Sequence, residues 1–182
     1  YVSSLTFFHL SEFFVTAMYN PSVVNADSFL VNQSKAYTGA ALFSCLEFWI
    51  RFIFFSQWTS TLCSKVGGIF LVVGMGTRII GMATCGSNFN HFIQPRKKSS
   101  HVLVTNGIYK YLRHPSYFGF FYYSIGTQLW LCNPVSTILY TAASWTFFRQ
   151  RIPYEERTLR EHFPQYEQYA SNSWVGIPFI KT

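Results

Sequence analysis

The sequence has few charged side chains: Asp, Glu, Lys and Arg make up 12% of its 182 residues, and only seven residues are acidic. Hydrophobic residues make up 49%, and aromatic residues 20%, with 20 Phe, 12 Tyr and 5 Trp. A water-soluble core of this size could not bury so many aromatic rings, whereas lipid tolerates them and the membrane interface favours Trp and Tyr. The composition therefore predicts a membrane protein in preference to an aromatic-rich soluble helical domain.

Metal-binding and redox patterns are also missing. The four cysteines are 18, 22 and 47 residues apart and lie in or beside apolar runs, at Cys45, Cys63, Cys85 and Cys132. No zinc or redox motif has these spacings, and the five histidines form no pair at helical spacing. The glycines at 74–76 lack the third glycine and the preceding strand of a dinucleotide-binding loop. We therefore predict packing cysteines and no metal site.

The beginning of the chain lacks a basic region followed by a small-residue cleavage site, so no cleavable signal peptide is predicted. The chain starts at Tyr1, without an initiator Met, inside the apolar sequence YVSSLTFFHLSEFFVTAMY. We expect it to be a fragment, truncated at the N-terminus.

Long apolar segments, by contrast, are present, and one helical membrane crossing needs about 20 residues. They lie near residues 1–19, 37–58, 62–84 and 116–148. The last is too long for one helix, and the sequence CNP at Cys132–Pro134 favours a break, which leaves helices near 116–131 and 134–150. The sequence therefore predicts an all-α, polytopic membrane protein with about five membrane helices, the last two forming a hairpin.

Positive charge predicts the orientation of this hairpin. Ten of the fourteen Lys and Arg residues lie at or after Arg96, in two groups that flank the last apolar stretch. Positive flanks prefer the cytoplasmic face, so both ends of the hairpin, and Thr182, are predicted to be cytoplasmic, with Tyr1 on the far side. We interpret the RKK sequence at Arg96–Lys98 as a contact for anionic lipid headgroups.

Two patterns inside the apolar segments predict helix packing. Glu47 and Arg51 are four residues apart, the spacing of an intrahelical ion pair that would make buried charge tolerable. Gly67, Gly74 and Gly81 recur every seven residues and predict a flat face for close contact with another helix.

The C-terminal tail predicts an interfacial helix lying over the cytoplasmic mouth of the bundle. Pro153 suits a first helical turn, and Glu155 and Glu156 suit the positive end of a helix dipole. An apolar stripe of Leu159, His162 and Phe163 follows until Pro164 ends the helix.

Two polar motifs lie at the ends of the predicted hairpin. In RHPSY, Arg113–Tyr117, Pro115 biases His114 away from helical dihedrals and starts a helix whose free N–H groups can bind an anion. Taken alone, this motif is better explained as a proline helix start with a snorkelling arginine and an interfacial tyrosine. The second motif, RIPYEE at Arg151–Glu156, adds a cation and two carboxylates on the same side, which favours a functional site over a structural ion-pair cluster.

The sequences GIYKYLRHPSYFGFF and FFRQRIPYEERTLREHFPQYEQY resemble the isoprenylcysteine carboxyl methyltransferase family, with its Arg-His-Pro-x-Tyr-x-Gly and downstream Arg-x-x-x-Glu-Glu motifs. SNFNHFIQ, HVLVTNGIY, YSIGTQLWLCNP and YVSSLTFFH are similar to the animal members, so the resemblance spans nearly the whole chain. Family members have further N-terminal membrane helices that this sequence lacks. The resemblance implies methyl transfer from S-adenosyl-L-methionine to the C-terminal carboxylate of a farnesylated or geranylgeranylated cysteine.

The resemblance also implies the partners and the location. The substrates would be prenylated CaaX proteins of the small GTPase type, the membrane would be that of the endoplasmic reticulum, and the site would face the cytoplasm. A single methyltransferase domain over 1–182 is expected, with membrane helices in 1–87 and the catalytic region in 88–182. Membrane lipid is an expected partner, and nucleic acid is not.

The site residues implied by the resemblance form two groups. The cofactor group comprises Gln94, His101, Val102, Leu103, Val104, Tyr109, His114, Pro115, Ser116, Tyr117 and Glu155. Arg151 is predicted to hold the substrate carboxylate, because a guanidinium forms two parallel hydrogen bonds and fixes direction. Arg151 and Glu155 are the predicted catalytic residues. Arg113 belongs either to the site or to a structural pair with an acid such as Glu156.

A prenyl chain needs an apolar groove, and the candidate walls are the aromatic helix YFGFFYYSIGTQLW and the second hairpin helix. Gly119 and Gly126 leave room on the first of these, although ordinary helix packing explains these glycines better. Two other functions stay open. Sterol reductases share an Arg-His-Pro-x-Tyr element but use NADPH. A non-enzymatic lipid-binding protein would need neither NADPH nor S-adenosyl-L-methionine.

Overall fold

The computed structural model describes residues 1–31, 34–94 and 101–181, and the regular structure of these residues is helical. The six α-helices are α1 (Val2–Tyr19), α2 (Lys35–Phe54), α3 (Thr61–Cys85), α4 (Pro115–Leu131), α5 (Pro134–His162) and α6 (Tyr166–Ser171). Within the described ranges, β-structure is limited to a single bridge between Leu112 and Trp174. The predicted all-α class is confirmed. The basic segment Arg96–Lys98, predicted to meet lipid headgroups, lies outside the described residues.

The helices begin where the sequence offers a cap or a proline. The Ser34 and Ser60 side chains accept a backbone N–H from the first turn of α2 and of α3, which satisfies a donor that the helix leaves unpaired. Pro115 and Pro134 occupy the first position of α4 and α5, where the missing N–H costs no hydrogen bond. Because α4 ends at Leu131, the predicted break of the long apolar segment is confirmed.

Two helical stretches are long and apolar enough to cross a membrane by length and composition: Lys35–Phe54, and Thr61–Asn88, which is α3 with the short 3-10 turn after it. The first is α2, whose side chains are mostly exposed and include Trp49, Phe52 and Ile53. Exposed apolar side chains on such a helix suit a lipid environment. The number of crossings, five in the sequence analysis, stays a prediction.

Close packing of α3 on α4 confirms the function predicted for the first glycine series. A Cβ atom on Gly74 would lie 2.5 Å from the Tyr123 backbone nitrogen, and one on Gly81 would lie 3.0 Å from Pro115 Cγ. A Cβ atom on Gly67 would lie 2.2 Å from the Trp130 backbone nitrogen. Small residues at an interface let two backbones approach closely, and only hydrogen fits here.

The second glycine series faces the same interface. A Cβ atom on Gly119 would lie 2.5 Å from the Gly74 carbonyl oxygen, and one on Gly126 would lie 2.7 Å from the Leu71 nitrogen. These glycines therefore pack α4 against α3. The prediction that they open a groove for a prenyl chain is wrong, and the helix-packing alternative is right.

Glu47 and Arg51 do not form the intrahelical ion pair that their spacing predicted. The Glu47 carboxylate accepts the Val135 and Ser136 N–H groups at 2.8 and 2.7 Å, and the Arg51 guanidinium donates to the Leu131 carbonyl at 2.7 Å. The acid thus caps the positive start of α5, and the base caps the negative end of α4. Both charges on α2 stabilise the turn of the hairpin.

Pro153 does not start a separate helix, and this prediction is wrong. Instead, α5 runs without interruption from Pro134 to His162 and contains Pro153 in its interior. Proline removes one hydrogen bond there, but Phe148 and Ile152, which are 2% and 0% exposed, pack into the core immediately before it. Tertiary packing therefore keeps the helix continuous. The predicted stop is confirmed, because α5 ends at His162, just before Pro164.

Candidate functional site

A first cavity opens where the start of α4, the last third of α5 and two loop segments meet. It is lined by nearly all of the predicted cofactor residues: Gln94, His101, Val102, Leu103, Val104, Tyr109, His114, Ser116, Tyr117 and Glu155. Pro115 is buried instead, with its ring against Gly81 of α3. The structure thus brings together residues from three separate stretches of sequence, and their role toward a cofactor stays a prediction.

The sequence analysis missed part of this cavity wall. The lining residues that it did not name for this site are Cys85, Phe89, Phe92, Ile93, Thr158, Leu159, His162, Phe163, Tyr166 and Tyr169. Asn88, Asn90 and Arg113 also line the cavity, and they belong to the polar interval Asn88–Arg113 that resembles a site wall in the sequence. The helical stripe of Leu159, His162 and Phe163 was a usable signal, since it was predicted to lie over the mouth of the bundle. Tyr166 and Tyr169 carried no such signal, because they belong to the short helix α6 beyond Pro164.

Tyrosines form one side of the first cavity. The Tyr169 hydroxyl donates to the Tyr109 carbonyl oxygen at 2.8 Å. Burial raises the pKa of Tyr169 to about 12, and burial likewise raises the pKa of Tyr109 above its ordinary value. Both phenols are therefore neutral at physiological pH, so this wall offers aromatic surface and hydroxyl groups but no charge.

Glu155 supplies a carboxylate to the same cavity. Its Oε2 atom is buried and accepts no hydrogen bond from the residues that the structure describes, and the nearest cationic candidate, His114 Nδ1, lies 3.7 Å away. An unsatisfied buried carboxylate oxygen fits a ligand that brings hydrogen-bond donors, such as an amino group or the hydroxyls of a ribose.

His114 and Tyr117 form a stacked pair at the start of α4. His114 has a non-helical backbone, as predicted for the residue before Pro115. The His114 and Tyr117 rings are nearly parallel, with centroids 5.4 Å apart. His114 Nε2 lies 3.0 Å from Glu156 Oε1, which fixes the ring from behind. The stack gives the cavity a rigid aromatic surface.

Glu156, although adjacent to Glu155, has a structural role. It is fully buried, and the Arg113 Nε atom lies 2.6 Å from its Oε1 atom. Arg160 reaches its other oxygen at 3.4 Å. The predicted structural pair of Arg113 with Glu156 is therefore confirmed. Because its oxygens already contact cations, Glu156 differs from its neighbour, which keeps an oxygen open.

A second cavity, of about 940 Å³, lies on the other side of Tyr117. Its walls are the connection between α1 and α2, the loop that follows α3, and residues of α3, α4 and α5: Val23, Asn25, Ala26, Asp27, Ser28, Phe29, Leu30, Val31, Arg78, Phe89, Asn90, His91, Phe92, Ser116, Tyr117, Phe120, Phe147, Phe148 and Arg151. This volume is within the range of pockets that enclose an organic ligand. No pattern in the sequence indicated that the 23–31 segment would form a wall.

Arg151 lies in the second cavity beside its boundary with the first. Its Nε atom donates to the Tyr117 hydroxyl at 2.8 Å, and its Nη2 atom donates to the His91 carbonyl at 2.6 Å. Both acceptors are neutral, and among the described residues no carboxylate lies within 4.0 Å of the guanidinium. The positive charge is thus available to an anion, and three of the five N–H groups are unused by these bonds.

Arg78 lines the same cavity but is compensated. It forms two hydrogen bonds with the buried Glu12 carboxylate, and its Nη1 atom donates to the Ser116 carbonyl at 2.9 Å. Arg149, two residues before Arg151 on α5, lies over the Trp145 ring at 5.0 Å. Of these three arginines, only Arg151 offers the cavity an unpaired charge.

The two cavities meet at a shared wall formed by Phe89, Asn90, Phe92, Ser116 and Tyr117. Tyr117 has its ring stacked on His114 and its hydroxyl bound to Arg151. Molecules bound in the two cavities would therefore approach each other at this residue. A polar cavity next to an apolar one with an arginine suits a reaction between a water-soluble molecule and an anionic, lipid-like one.

Comparisons with known proteins point to one family. A family model described as the isoprenylcysteine carboxyl methyltransferase family matches residues 67–161. A solved structure of a eukaryotic intramembrane Ras methyltransferase, an isoprenylcysteine carboxyl methyltransferase, superposes with a TM-score of 0.94 at 46% identity. That similarity covers 98% of this chain and 64% of the other.

Curated relatives agree. The chain is 49% identical to a protein-S-isoprenylcysteine O-methyltransferase of Xenopus laevis and 46% identical to one of Homo sapiens, in each case over 100% of the chain and 64% of the relative. A Dictyostelium discoideum relative of the same name is 45% identical over 99% of the chain and 76% of its own length. The chain thus spans about 64% of the length of the vertebrate relatives. It belongs to the isoprenylcysteine carboxyl methyltransferase family.

Proposed function

We propose that the protein transfers a methyl group from S-adenosylmethionine to the C-terminal carboxylate of an S-prenylated cysteine, forming a methyl ester and S-adenosylhomocysteine. The observation that carries this proposal is the position of Arg151, an uncompensated guanidinium in an apolar cavity that shares a wall with a polar one. The names of relatives up to 49% identical support the same activity.

The first cavity would hold S-adenosylmethionine, which supplies an electrophilic methyl group on a sulfonium. The open Oε2 atom of Glu155 would accept from the amino group or from the ribose hydroxyls. The apolar strip Val102–Val104 and the neutral ring of Tyr109 would cover the adenine. The His114–Tyr117 stack would form the surface nearest the second cavity.

Arg151 would hold the substrate carboxylate in the second cavity. A C-terminal carboxyl group has a pKa of about 3.5, so the nucleophile is already ionised at neutral pH and needs no general base. The residues around it must instead orient it and exclude water. Tyr117 and His91 restrain the guanidinium through two hydrogen bonds, and its remaining N–H groups can donate two hydrogen bonds to the substrate carboxylate.

The apolar part of the second cavity would take the prenyl chain. Phe120, Phe147 and Phe148 line it from the helices, and the connection 23–31 lines it from the opposite side. This replaces the glycine-lined groove of the sequence analysis, which helix packing fills. Burial of a long hydrocarbon contributes about 0.8 kcal/mol per CH2 group, so this contact would dominate affinity while Arg151 sets direction.

The substrate proteins and the location are part of the same proposal. Prenylated CaaX proteins of the small GTPase type are the proposed substrates, which agrees with the description of the solved relative as a Ras methyltransferase. Basic residues flank the α4–α5 hairpin on the side of both cavities, which favours a cytoplasm-facing site. The endoplasmic reticulum membrane is proposed from the family resemblance. The catalytic region would be 88–182, with help from α1 and α3.

Transfer of radiolabel from S-adenosylmethionine to N-acetyl farnesylcysteine tests the proposal, with release of the label by base as the sign of a methyl ester. Calorimetry with S-adenosylhomocysteine and with NADPH tests the cofactor separately. We expect label transfer and binding of S-adenosylhomocysteine. Binding of NADPH in its place would support the sterol reductase alternative, and binding of neither would support a lipid-binding protein.

A further inference from the structure

Glu12, in α1, is a buried acid that the proposed reaction does not use. It is 1% exposed, and its carboxylate accepts two hydrogen bonds from Arg78 of α3, the one to Oε2 at 2.9 Å. The same Oε2 atom accepts from His91 Nε2 at 2.9 Å. Arg78 and His91 both line the second cavity, so Glu12 lies directly behind the wall that faces the substrate.

His91 connects this acid to Arg151. Its imidazole binds Glu12, while its backbone carbonyl accepts from Arg151 Nη2 at 2.6 Å. A shift of the His91 ring would therefore move one of the two acceptors that orient the Arg151 guanidinium. Arg78 makes a second connection, because its Nη1 atom donates to the carbonyl of Ser116, in the wall between the cavities.

Helix α1 holds the same loop at a second place. Asn20, which follows the helix, donates from Nδ2 to the Ser87 carbonyl at 3.2 Å and to the Phe89 carbonyl at 2.9 Å. The loop between α3 and the first cavity is thus tied to α1 from Ser87 to His91. Asn20 binds this loop through backbone carbonyls, whereas Glu12 binds it through the His91 side chain and also supplies charge.

The charge of Glu12 determines which arginine, Arg78 or Arg151, is available to bind the substrate carboxylate. Arg78 and Arg151 line one cavity, and Arg78 is also held between the Phe8 and Phe120 rings, 5.4 Å from each centroid. With Glu12 ionised, Arg78 is neutralised and Arg151 keeps its charge. Without that negative charge, a second cation would compete for the substrate carboxylate and hold it away from the first cavity.

We propose that Glu12 is a positioning residue for carboxylate recognition: through His91 it orients Arg151, and by pairing with Arg78 it leaves Arg151 as the cation that binds the substrate. This inference rests on the proposed methyl transfer. It assigns to α1, the first helix of the chain, a direct part in the chemistry of α4 and α5.

The test compares Glu12→Gln with the unsubstituted protein in reconstituted membranes. We expect kcat/KM for N-acetyl farnesylcysteine to fall about 10-fold to 100-fold, as for a reactant misplaced by an ångström, with the Kd for S-adenosylhomocysteine changed less than about twofold. An unchanged kcat/KM would overturn the proposal, as would a parallel loss of cofactor affinity.

A double-substitution cycle separates positioning from general damage. If Glu12 acts through Arg151, then Glu12→Gln in an Arg151→Lys background should lower kcat/KM by less than about threefold, because the two sites share one effect. An undiminished effect in that background would contradict the proposal.

Two further variants keep the test decisive. If Glu12→Gln does not fold, His91→Phe removes the connection to the loop while leaving the Glu12–Arg78 pair, and the same fall in kcat/KM is expected.

Glu47→Gln is the matched control, because Glu47 also accepts two hydrogen bonds from a neighbouring helix but lies at the hairpin turn. It should lower thermal stability with kcat/KM per folded molecule unchanged, and an equal kinetic loss would overturn the proposal.

The results also distinguish this inference from the function beneath it. If the unsubstituted protein transfers no methyl group, the proposed function and the positioning role both fail. If it does so and both Glu12→Gln and His91→Phe match it, only the positioning role fails.

Discussion

The two cavities are built from different parts of the chain. The first is lined by residues from 85 to 169, largely in loops and at helix ends, and contains the RHPSY motif and the carboxylate of Glu155. The second draws residues from 23 to 151, on the α1–α2 connection and three helices that pack against one another. The polar cavity is therefore compact in sequence, and the apolar one exists only once distant helices have met.

The charged residues at the two cavities follow one pattern, in which one residue is compensated and another is not. In the first cavity Glu155 keeps a free oxygen, whereas its neighbour Glu156 is buried outside the lining and is bound by Arg113. In the second cavity Arg151 contacts neutral oxygens, whereas Arg78 is bound by Glu12. Ion pairs hold the walls, and in the proposed function the uncompensated partners would face the ligands. A variant of an open residue should therefore affect one ligand and leave the other.

The largest effect is expected for Arg151→Ala. Loss of a charged group that orients the reacting carboxylate should lower kcat/KM for N-acetyl farnesylcysteine by about 100-fold to 1000-fold. Binding of S-adenosylhomocysteine should stay within about twofold, because the guanidinium lies on the other side of Tyr117. Kinetics and calorimetry on one preparation measure both. Arg149→Ala, at an exposed arginine over Trp145, is the control, and equal losses for the two ligands would break the comparison.

Glu155→Gln should produce the reverse pattern. Removing the charge from the open acceptor should weaken S-adenosylhomocysteine by about 10-fold to 100-fold, the range for hydrogen bonds to charged groups. The KM for the prenylcysteine, measured at saturating cofactor, should stay nearly constant. Glu161→Gln, at an exposed acid of the same helix, should leave both values unchanged. Unaltered cofactor affinity in Glu155→Gln would show that its free oxygen faces no ligand.

Gly119→Ala should affect both cavities, because it displaces their common wall. The added methyl group would meet the Gly74 carbonyl at 2.5 Å, which the backbone of α3 cannot avoid. We expect a loss of about 1–3 kcal/mol in unfolding free energy, seen as a lower Tm in detergent, with both ligands weakened. Gly76→Ala is the matched control, since a Cβ atom there meets nothing within 4 Å. An unchanged Tm in Gly119→Ala would contradict the packing interpretation.

The smallest effect is expected for Tyr169→Phe, which removes a hydroxyl that supports the first cavity. A neutral hydrogen bond contributes about 1 kcal/mol, so S-adenosylhomocysteine affinity should fall about fivefold. Because burial raises the pKa of Tyr169 to about 12, the neutral phenol is favoured in the folded protein, and its contribution is complete below about pH 10 and declines as the pH rises toward the folded pKa. The difference between the two proteins should therefore be constant from pH 7 to 9. Calorimetry at several pH values, with exposed Tyr154→Phe as control, measures it.

Much of the helical framework was predictable from apolar runs. The break at Asn133–Pro134 and the seven-residue glycine spacing also identified features that the structure has. The errors share one cause. Proline is typical of a first helical turn, but the buried Phe148 and Ile152 keep α5 continuous through Pro153. Glu47 was paired with Arg51, the nearest base in sequence, although its partners are N–H groups at the start of α5. Spacing along the sequence predicts contacts between near neighbours, whereas in both cases the contacts that matter are made by helix packing.

The candidate site shows the same division. The family resemblance implied the 101–104 strip, Glu155 and most of the RHPSY motif as site residues, and the structure places them around one cavity. The Glu12–Arg78–His91 network was missed, since no spacing connects a glutamate with an arginine 66 residues later. The wall from 23 to 31 was missed for the same reason.

The sequence by itself determined that the chain is helical and rich in membrane-compatible apolar segments, that it divides at Pro134, and that its charged motifs lie at the ends of a hairpin. Apolar length, proline and glycine act through the adjacent backbone, so their effects are visible locally. Only the tertiary structure decided which charges are neutralised and which remain available. That depends on whether an opposite charge comes within about 4 Å, a distance set by how α1, α3 and α5 pack. Arg78 and Arg151 are the same residue type in one cavity, and packing alone gives one of them a buried acid and the other an open charge.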